Sequence, residues 1–242
     1  MSMMPIMEGR PRLDEMVPQE LRQALFALGC FRRLEARFGL VRGVWRTVVG
    51  YAGGETPDPV YSNVGDHMEV VLVEYDPHTV SYGQLLELAM FWQGSEPCPR
   101  YPRHAPCLFV SSGTERRLAQ AAVDRSCFYC DNETLILPLK LFHRAEAWCQ
   151  KHYLRVVSWL FEELLNFYPD EEALLHSTMA ARLNGYLGLS QQGELPESLE
   201  LYGLSPSALE MIRVAGASIA SSRGAGDEGR SPPSFLSKGD LP

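Results

Sequence analysis

The chain has no run of eighteen or more apolar residues, which excludes a membrane-spanning helix. It also has no block of Lys and Arg. With 22 basic against 30 acidic residues, a formal charge of -8 and a pI near 5.3, it lacks the clustered positive charge that phosphate binding requires, so no nucleic-acid partner is expected. The first residues, MSMMPIMEGRPRLDEM, lack the apolar run of a secretory signal. Cysteine is sparse: Cys30, Cys98, Cys107, Cys127, Cys130 and Cys149 are spread over 242 residues, whereas a disulfide framework belongs to short secreted domains. A reducing compartment, the cytoplasm, is the expectation. The six His show no metal-ligand spacing, so no metal is expected. No internal repeat is visible.

What remains is ordinary for a globular chain: 45% hydrophobic and 21% charged residues, long enough for a sizeable core. Residues 1–19, with three Pro, read as a loose arm. In residues 216–242, Gly, Ser and Pro supply 14 of 27 positions, which predicts a disordered tail. Between these ends strands and helices alternate. QALFAL (23–28), VWRTVV (44–49), MEVVLVEY (68–75), CLFVS (107–111) and TLILPLK (134–140) read as strands. The run at 68–75 is apolar on both faces apart from Glu69 and Glu74, and is therefore central. Phe31, Leu34 and Phe38 form one apolar stripe of a helix. Further helices are expected from Ser81 to about 92, from Thr114 to Ser126 and from near His143. From Lys151 an amphipathic helix reaches Asn166, a second runs from Asp170 to Leu183, and a third opens at Ser205-Pro206. The expected fold class is α+β: a two-layer mixed β-sheet with packed helices over residues 20–155, followed by a helical extension over 156–215.

Two residues break the pattern in a chemically suggestive way. Cys30 follows a buried strand and Gly29, at the first turn of a helix, where unpaired N–H groups and the positive end of the helix dipole favour thiolate over thiol. Arg32 and Arg33 add positive potential. Its alternative is a small buried hydrophobe. Glu69 interrupts the inferred central strand, where partial desolvation would keep a carboxyl protonated and able to act as an acid. Its alternative is the exposed end of the strand. Tyr51 and Tyr61 flank the turn-rich loop GYAGGETPDP and bring phenolic hydroxyls toward one pocket, or else anchor the surface.

These residues spell a family. Gly29-Cys30-Phe31, Glu35, Phe38, Gly43-Val44, Thr47, Gly50-Tyr51-x-Gly53-Gly54, Pro59-x-Tyr61, His67-x-Glu69 and Tyr75-Asp76-Pro77 resemble, in order, the pattern of the A-type methionine sulfoxide reductases. LFHRAEAWCQKHYL (141–154) is similar to that family's closing Phe-x-x-Ala-Glu segment. The likeness covers about residues 20–155 and implies the family's fold, with a ferredoxin-like core. It implies that Cys30 attacks the sulfoxide sulfur, that Glu69 protonates the oxygen with help from Tyr61, and that Phe31 with the tyrosines holds the substrate. The implied substrate is methionine-S-sulfoxide, free or in an oxidised protein. The chemistry needs no bound cofactor, only a second thiol and a thioredoxin-like reductant. A monomer is expected.

The departures are specific. Arg32 stands where the family has the Trp that cages the substrate methyl group. EPCPRYPRHAP (96–106) replaces the segment whose Asp and Tyr assist oxygen recognition; Tyr101 and His104 are candidates to substitute. The candidates for the resolving thiol are Cys127 and Cys130, which form a CxxC, and Cys98 and Cys107, beside the rewritten loop; the CxxC is otherwise half a zinc site or two core cysteines. Cys149 reads as structural. The competing reading is a catalytically weakened member that senses redox state or binds proteins, with the 156–213 helices as its interface.

Overall fold

The computed structural model describes residues 11–94, 101–126, 134–189, 195 and 197–221. Its elements, in chain order, are α1 (Arg12–Glu15), β1 (Arg22–Ala27), α2 (Phe31–Gly39), β2 (Val44–Ala52), β3 (Met68–Tyr75), α3 (Tyr82–Gly94), β4 (Cys107–Val110), α4 (Gly113–Arg125), β5 (Leu135–Pro138), β6 (Phe142–Arg144), α5 (His152–Val156), α6 (Ser158–Leu165), α7 (Glu171–Leu175), α8 (Thr178–Gly188) and α9 (Pro206–Ser221). The fold is α+β. Six strands form one mixed sheet in the order β5-β4-β1-β3-β2-β6, antiparallel except for the β4–β5 pair. β3 lies inside the sheet, as its doubly apolar pattern predicts. Among the described residues no helix is long and apolar enough to cross a membrane.

Period-two alternation decides which side chains meet the helices. On β1, Ala24 and Phe26 join the large core under α2 and α3, while Leu25 and Ala27 join a smaller cluster on the other face. On β3, Val71, Val73 and Tyr75 face the helices, and Met68 and Val70 face away. Glu69 shares the parity of Val71, which sends its side chain toward the helical layer. Phe26 pairs with Val71 across the β1–β3 ladder, so the end of β1 and the start of β3 lie at the same end of the sheet. That register is what brings Cys30 and Glu69 together.

Several sequence expectations are corrected. The segment near His143 is not a helix: Phe142–Arg144 is an edge strand paired with the end of β2. Three residues carry too little periodicity to be recognised, and the strand exists because β2 offers an open edge. The amphipathic stretch from Lys151 is two helices broken at Val157 (ψ 71°), and the stretch from Asp170 is also two, the second capped by Ser177 accepting the N–H of Ala180. In the expected N-terminal arm, Leu13 is fully buried, and Asp14 accepts the N–H groups of Thr178 (2.8 Å) and Met179 (3.2 Å) and the hydroxyl of Tyr168 (2.5 Å). Residues 1–10 and 222–242 lie outside the described residues, whereas Gly216–Ser221 continue α9.

The helices after Lys151 build a second apolar core from Leu154, Leu160, Leu164, Leu174, Met179, Leu183, Leu187 and Tyr202. α8 packs directly on α2, the helix that begins beside Cys30. The approach is so close that a Cβ on Gly185 would lie 2.7 Å from the carbonyl oxygen of Ala36. The fully buried Arg182 donates to the carbonyl oxygens of Gly39 (2.6 Å) and Val44 (2.7 Å), closing the C-terminal end of α2, and pairs with Glu197 at 2.8 Å. A second buried charge, Lys151, bonds Glu35 (2.7 Å) and the carbonyl of Thr47 (2.6 Å); neither partner of the ion pair is solvent-accessible. Gln150 exchanges two 2.9 Å hydrogen bonds with the backbone of Val49. These polar ties fix α2 against β2 and the helical extension.

Candidate active site

β1 ends at Ala27, and Gly29, with φ +91°, turns the chain so that Cys30 becomes the N-cap of α2. Its carbonyl accepts the N–H of Leu34 at 3.2 Å, and its side chain is exposed. The backbone N–H groups of Arg32 and Arg33 and the Arg32 guanidinium favour its thiolate. They do not prevail. Although the residue is open to solvent, the protein atoms around its sulfur partly desolvate it, and this, followed by the Glu69 carboxylate, pushes the Cys30 thiol up from its ordinary value. The expected excess of thiolate is thus corrected: the helix N-terminus is present, but a nearby anion and desolvation outweigh it.

Glu69 is only 2% exposed. Its Oε2 accepts the backbone N–H of Phe31 at 3.1 Å, its Oε1 lies 3.3 Å from His104 Nε2, and Arg103 Nη1 is 3.9 Å from the same oxygen. The Cys30 sulfur, a Glu69 carboxylate oxygen and a His104 ring nitrogen all lie within 4.8 Å of one another. Among the described residues, these three side chains are the ones grouped closely enough to hold a metal ion, a proximity that sequence spacing does not reveal. Two guanidinium groups, of Arg32 and Arg103, would oppose a cation there.

Around this trio lies an aromatic layer. Phe31 is fully buried, its ring centroid 6.0 Å from that of Tyr51 and 6.1 Å from that of Tyr61. Tyr51 pairs with Glu69 across the β2–β3 ladder. Its hydroxyl donates to Glu146 Oε2 at 2.9 Å, and burial followed by that bond pushes its ionisation far up. Glu146 also accepts the N–H of Tyr61 at 2.9 Å, so one carboxylate positions both tyrosines. The glycine-rich loop between them is tied by Asp66, which accepts from Thr56 Oγ1 (2.6 Å) and from the N–H groups of Glu55 and Thr56. His67 accepts the N–H of Gly54 at 3.2 Å and donates to the Thr56 carbonyl at 2.8 Å.

The sequence model of the peptide methionine sulfoxide reductase family matches residues 22–162. The chain belongs to that family. It is 40% identical over 177 residues to peptide methionine sulfoxide reductase A5 of Arabidopsis thaliana, covering 69% of this chain and 68% of that protein. It is 35% identical over 191 residues to the peptide methionine sulfoxide reductase of Drosophila melanogaster, covering 76% of each. The MsrA of Rhodospirillum centenum is 35% identical over 168 residues, covering 62% of this chain and 75% of that protein.

For a peptide methionine sulfoxide reductase, the rebuilt parts of this site are informative. Of the two candidates in the rewritten loop, His104 reaches Glu69, while Tyr101 stays 60% exposed and packs edge-on against the His104 ring. Phe31 is covered by its tyrosine neighbours and supports them instead of forming an open wall. Trp148, which no sequence signal marked, stands edge-on to Tyr61 with ring centroids 5.0 Å apart. Glu146 belongs to the closing Ala-Glu segment, but only the fold gives it two tyrosine partners. Cys98, Cys127 and Cys130 lie outside the described residues. Cys107 is buried in β4 and Cys149 beside Glu146, and burial pushes both thiols up to about 12. Of the three described cysteines, Cys30 alone is exposed.

Proposed function

We propose that the protein reduces methionine-S-sulfoxide to methionine, with Cys30 as the nucleophile and Glu69 as the acid. The observation that carries this reading is the shared 4.8 Å neighbourhood of the Cys30 sulfur, the Glu69 carboxyl and the His104 ring. Sulfoxide oxygen is a poor leaving group until it is protonated, so nucleophile and proton donor must act on adjacent atoms of one substrate.

The proton balance fits the pair. A carboxylate beside a thiolate is unfavourable, which is why Glu69 raises the Cys30 thiol. When the Glu69 carboxyl carries the proton, that repulsion is gone and the N–H groups of Arg32 and Arg33 stabilise the Cys30 anion. The thiolate then attacks the sulfoxide sulfur as Glu69 gives its proton to the oxygen. The S–O bond of the substrate and the new S–S bond then break as the hydroxyl passes to Cys30: the sulfoxide sulfur gains two electrons and leaves as the thioether, and Cys30 loses two and becomes a sulfenic acid. His104, whose Nε2 lies 3.3 Å from Glu69 Oε1, helps hold the carboxyl in position. Tyr61 adds a hydroxyl beside the oxygen.

A second thiol then displaces water from the sulfenic acid to form a disulfide, which a thioredoxin-like dithiol opens by exchange. Cys98, Cys127 and Cys130 are the candidates for that thiol, since Cys107 and Cys149 are buried and resist ionisation. No resident cofactor enters the scheme. Turnover of a methyl sulfoxide with dithiothreitol as reductant, abolished in Cys30→Ser, is the expected result. Undiminished turnover in Cys30→Ser would overturn the proposal.

A further inference from the structure

The residue that replaces the family's caging Trp is held by aromatic side chains. Arg32 lies two positions after Cys30, and its guanidinium carbon sits 5.0 Å from the Tyr61 ring centroid and 5.9 Å from that of Trp148. Its Nε is buried with no hydrogen-bond partner. Among the described residues no carboxylate lies within ion-pairing distance of it. A cation held against two aromatic rings is fixed in place without being neutralised. Arg103 adds a second guanidinium, 5.7 Å from the same Tyr61 ring and donating to the Tyr61 carbonyl at 3.3 Å.

The acids nearest this pair are already engaged. Glu69 takes the Phe31 N–H and faces His104, and Glu146 takes the Tyr51 hydroxyl and the Tyr61 N–H. The chain as a whole carries a charge of -8, yet the rim of its nucleophile is cationic. Arg32 also acts electrostatically on the Cys30 sulfur, which it helps toward the thiolate, so its charge is felt at the reacting atom.

We propose that Arg32, braced by Tyr61 and Trp148 and assisted by Arg103, is a carboxylate-binding subsite beside Cys30. It selects sulfoxides that carry an anion close to the oxidised methionine. The planar fork of a guanidinium matches a carboxylate, and the ring faces that orient it lower the entropy lost on binding. Two substrates supply that chemistry: a peptide in which Asp or Glu flanks the methionine sulfoxide, and free methionine sulfoxide through its own carboxylate. The inference rests on the reductase reading of the same site.

The test uses the full chain and blocked pentapeptides in which methionine sulfoxide is flanked by Glu, Gln or Lys, together with free methionine sulfoxide and its carboxamide. The expected KM is lowest for the Glu peptide, by about three- to tenfold relative to Gln, and highest for Lys. The gap should narrow between about 20 mM and about 500 mM salt. It should vanish in Arg32→Met and persist in reduced form in Arg32→Lys. A Glu preference identifies a flanking side chain as the anion, and a preference for the free amino acid over its carboxamide identifies the main-chain carboxylate. Equal KM values for Glu and Gln peptides, and for the amino acid and its carboxamide, would overturn the subsite while leaving the reductase reading intact. If no sulfoxide is turned over, the reductase reading fails instead. Calorimetry with the unoxidised Glu and Gln peptides then decides the subsite: tighter Glu binding supports it and equal binding overturns it.

Discussion

Glu69 accepts, at 3.1 Å, the backbone N–H of Phe31, the residue that follows Cys30. The proposed acid is thereby clamped to the first turn of the helix that the proposed nucleophile caps. One hydrogen bond fixes their separation, and one antiparallel register, Phe26 against Val71, makes the bond reachable. The same proximity sets their electrostatics, because Glu69 is the charge that raises the Cys30 thiol, second only to burial.

Alkylation of Cys30 therefore reads the pair directly. In the unmodified protein, the iodoacetamide rate should climb only as pH passes the ordinary thiol range, since the protonated form is the one favoured. Glu69→Gln removes the negative neighbour and should shift that midpoint to lower pH while lowering sulfoxide turnover by about a hundredfold or more. A midpoint unmoved in Glu69→Gln would mean that the two groups are not coupled.

His104→Ala should lower turnover by about tenfold to a hundredfold, because it removes the ring 3.3 Å from the Glu69 carboxyl. His104→Phe should fall equally, since the ring volume is kept and only the nitrogen is lost. Steady-state kinetics on both variants checks this, with Tyr101→Phe as the comparison that should stay near the parent rate.

Lys151→Met should destabilise the fold by about 3–5 kcal/mol, measured by chemical denaturation. The charge of Glu35 would remain buried with its cation gone, and the Thr47 carbonyl would lose its donor. The double variant Lys151→Met with Glu35→Gln should recover part of that loss, since it removes the uncompensated charge.

Gly185→Ala gives a sign test of the α2–α8 contact. In an exposed helix interior, that change stabilises by about 1 kcal/mol. Here the new methyl would meet the Ala36 carbonyl oxygen and the Leu40 side chain, each at 2.7 Å, so the variant should be less stable by about 1–3 kcal/mol. Thermal unfolding distinguishes the two signs.

Much of this was legible in the residues. Alternation on β1 and β3 and the apolar stripe of Phe31, Leu34 and Phe38 give the sheet and its covering helix, because local periodicity reports burial directly. Gly29-Cys30 and the single carboxylate in an apolar strand marked the two candidate reacting groups for the same reason: each broke a pattern that packing alone would keep. What escaped depends on contacts between distant segments. The strand Phe142–Arg144 exists only because β2 offers an edge, and Trp148 acquires a role only when it meets Tyr61 and Arg32. The raised Cys30 thiol is not legible in the residues, because a helix N-terminus can be read from sequence, whereas the desolvation and the neighbouring anion that outweigh it cannot.

The most direct measurement is a single turnover without reductant: the full chain is mixed with excess methionine-S-sulfoxide, the methionine formed is counted, and every cysteine is mapped by mass spectrometry. The account predicts about one methionine per protein, with Cys30 recovered as a sulfenic acid or joined to another cysteine. Methionine formed while Cys30 remains a free thiol would contradict it.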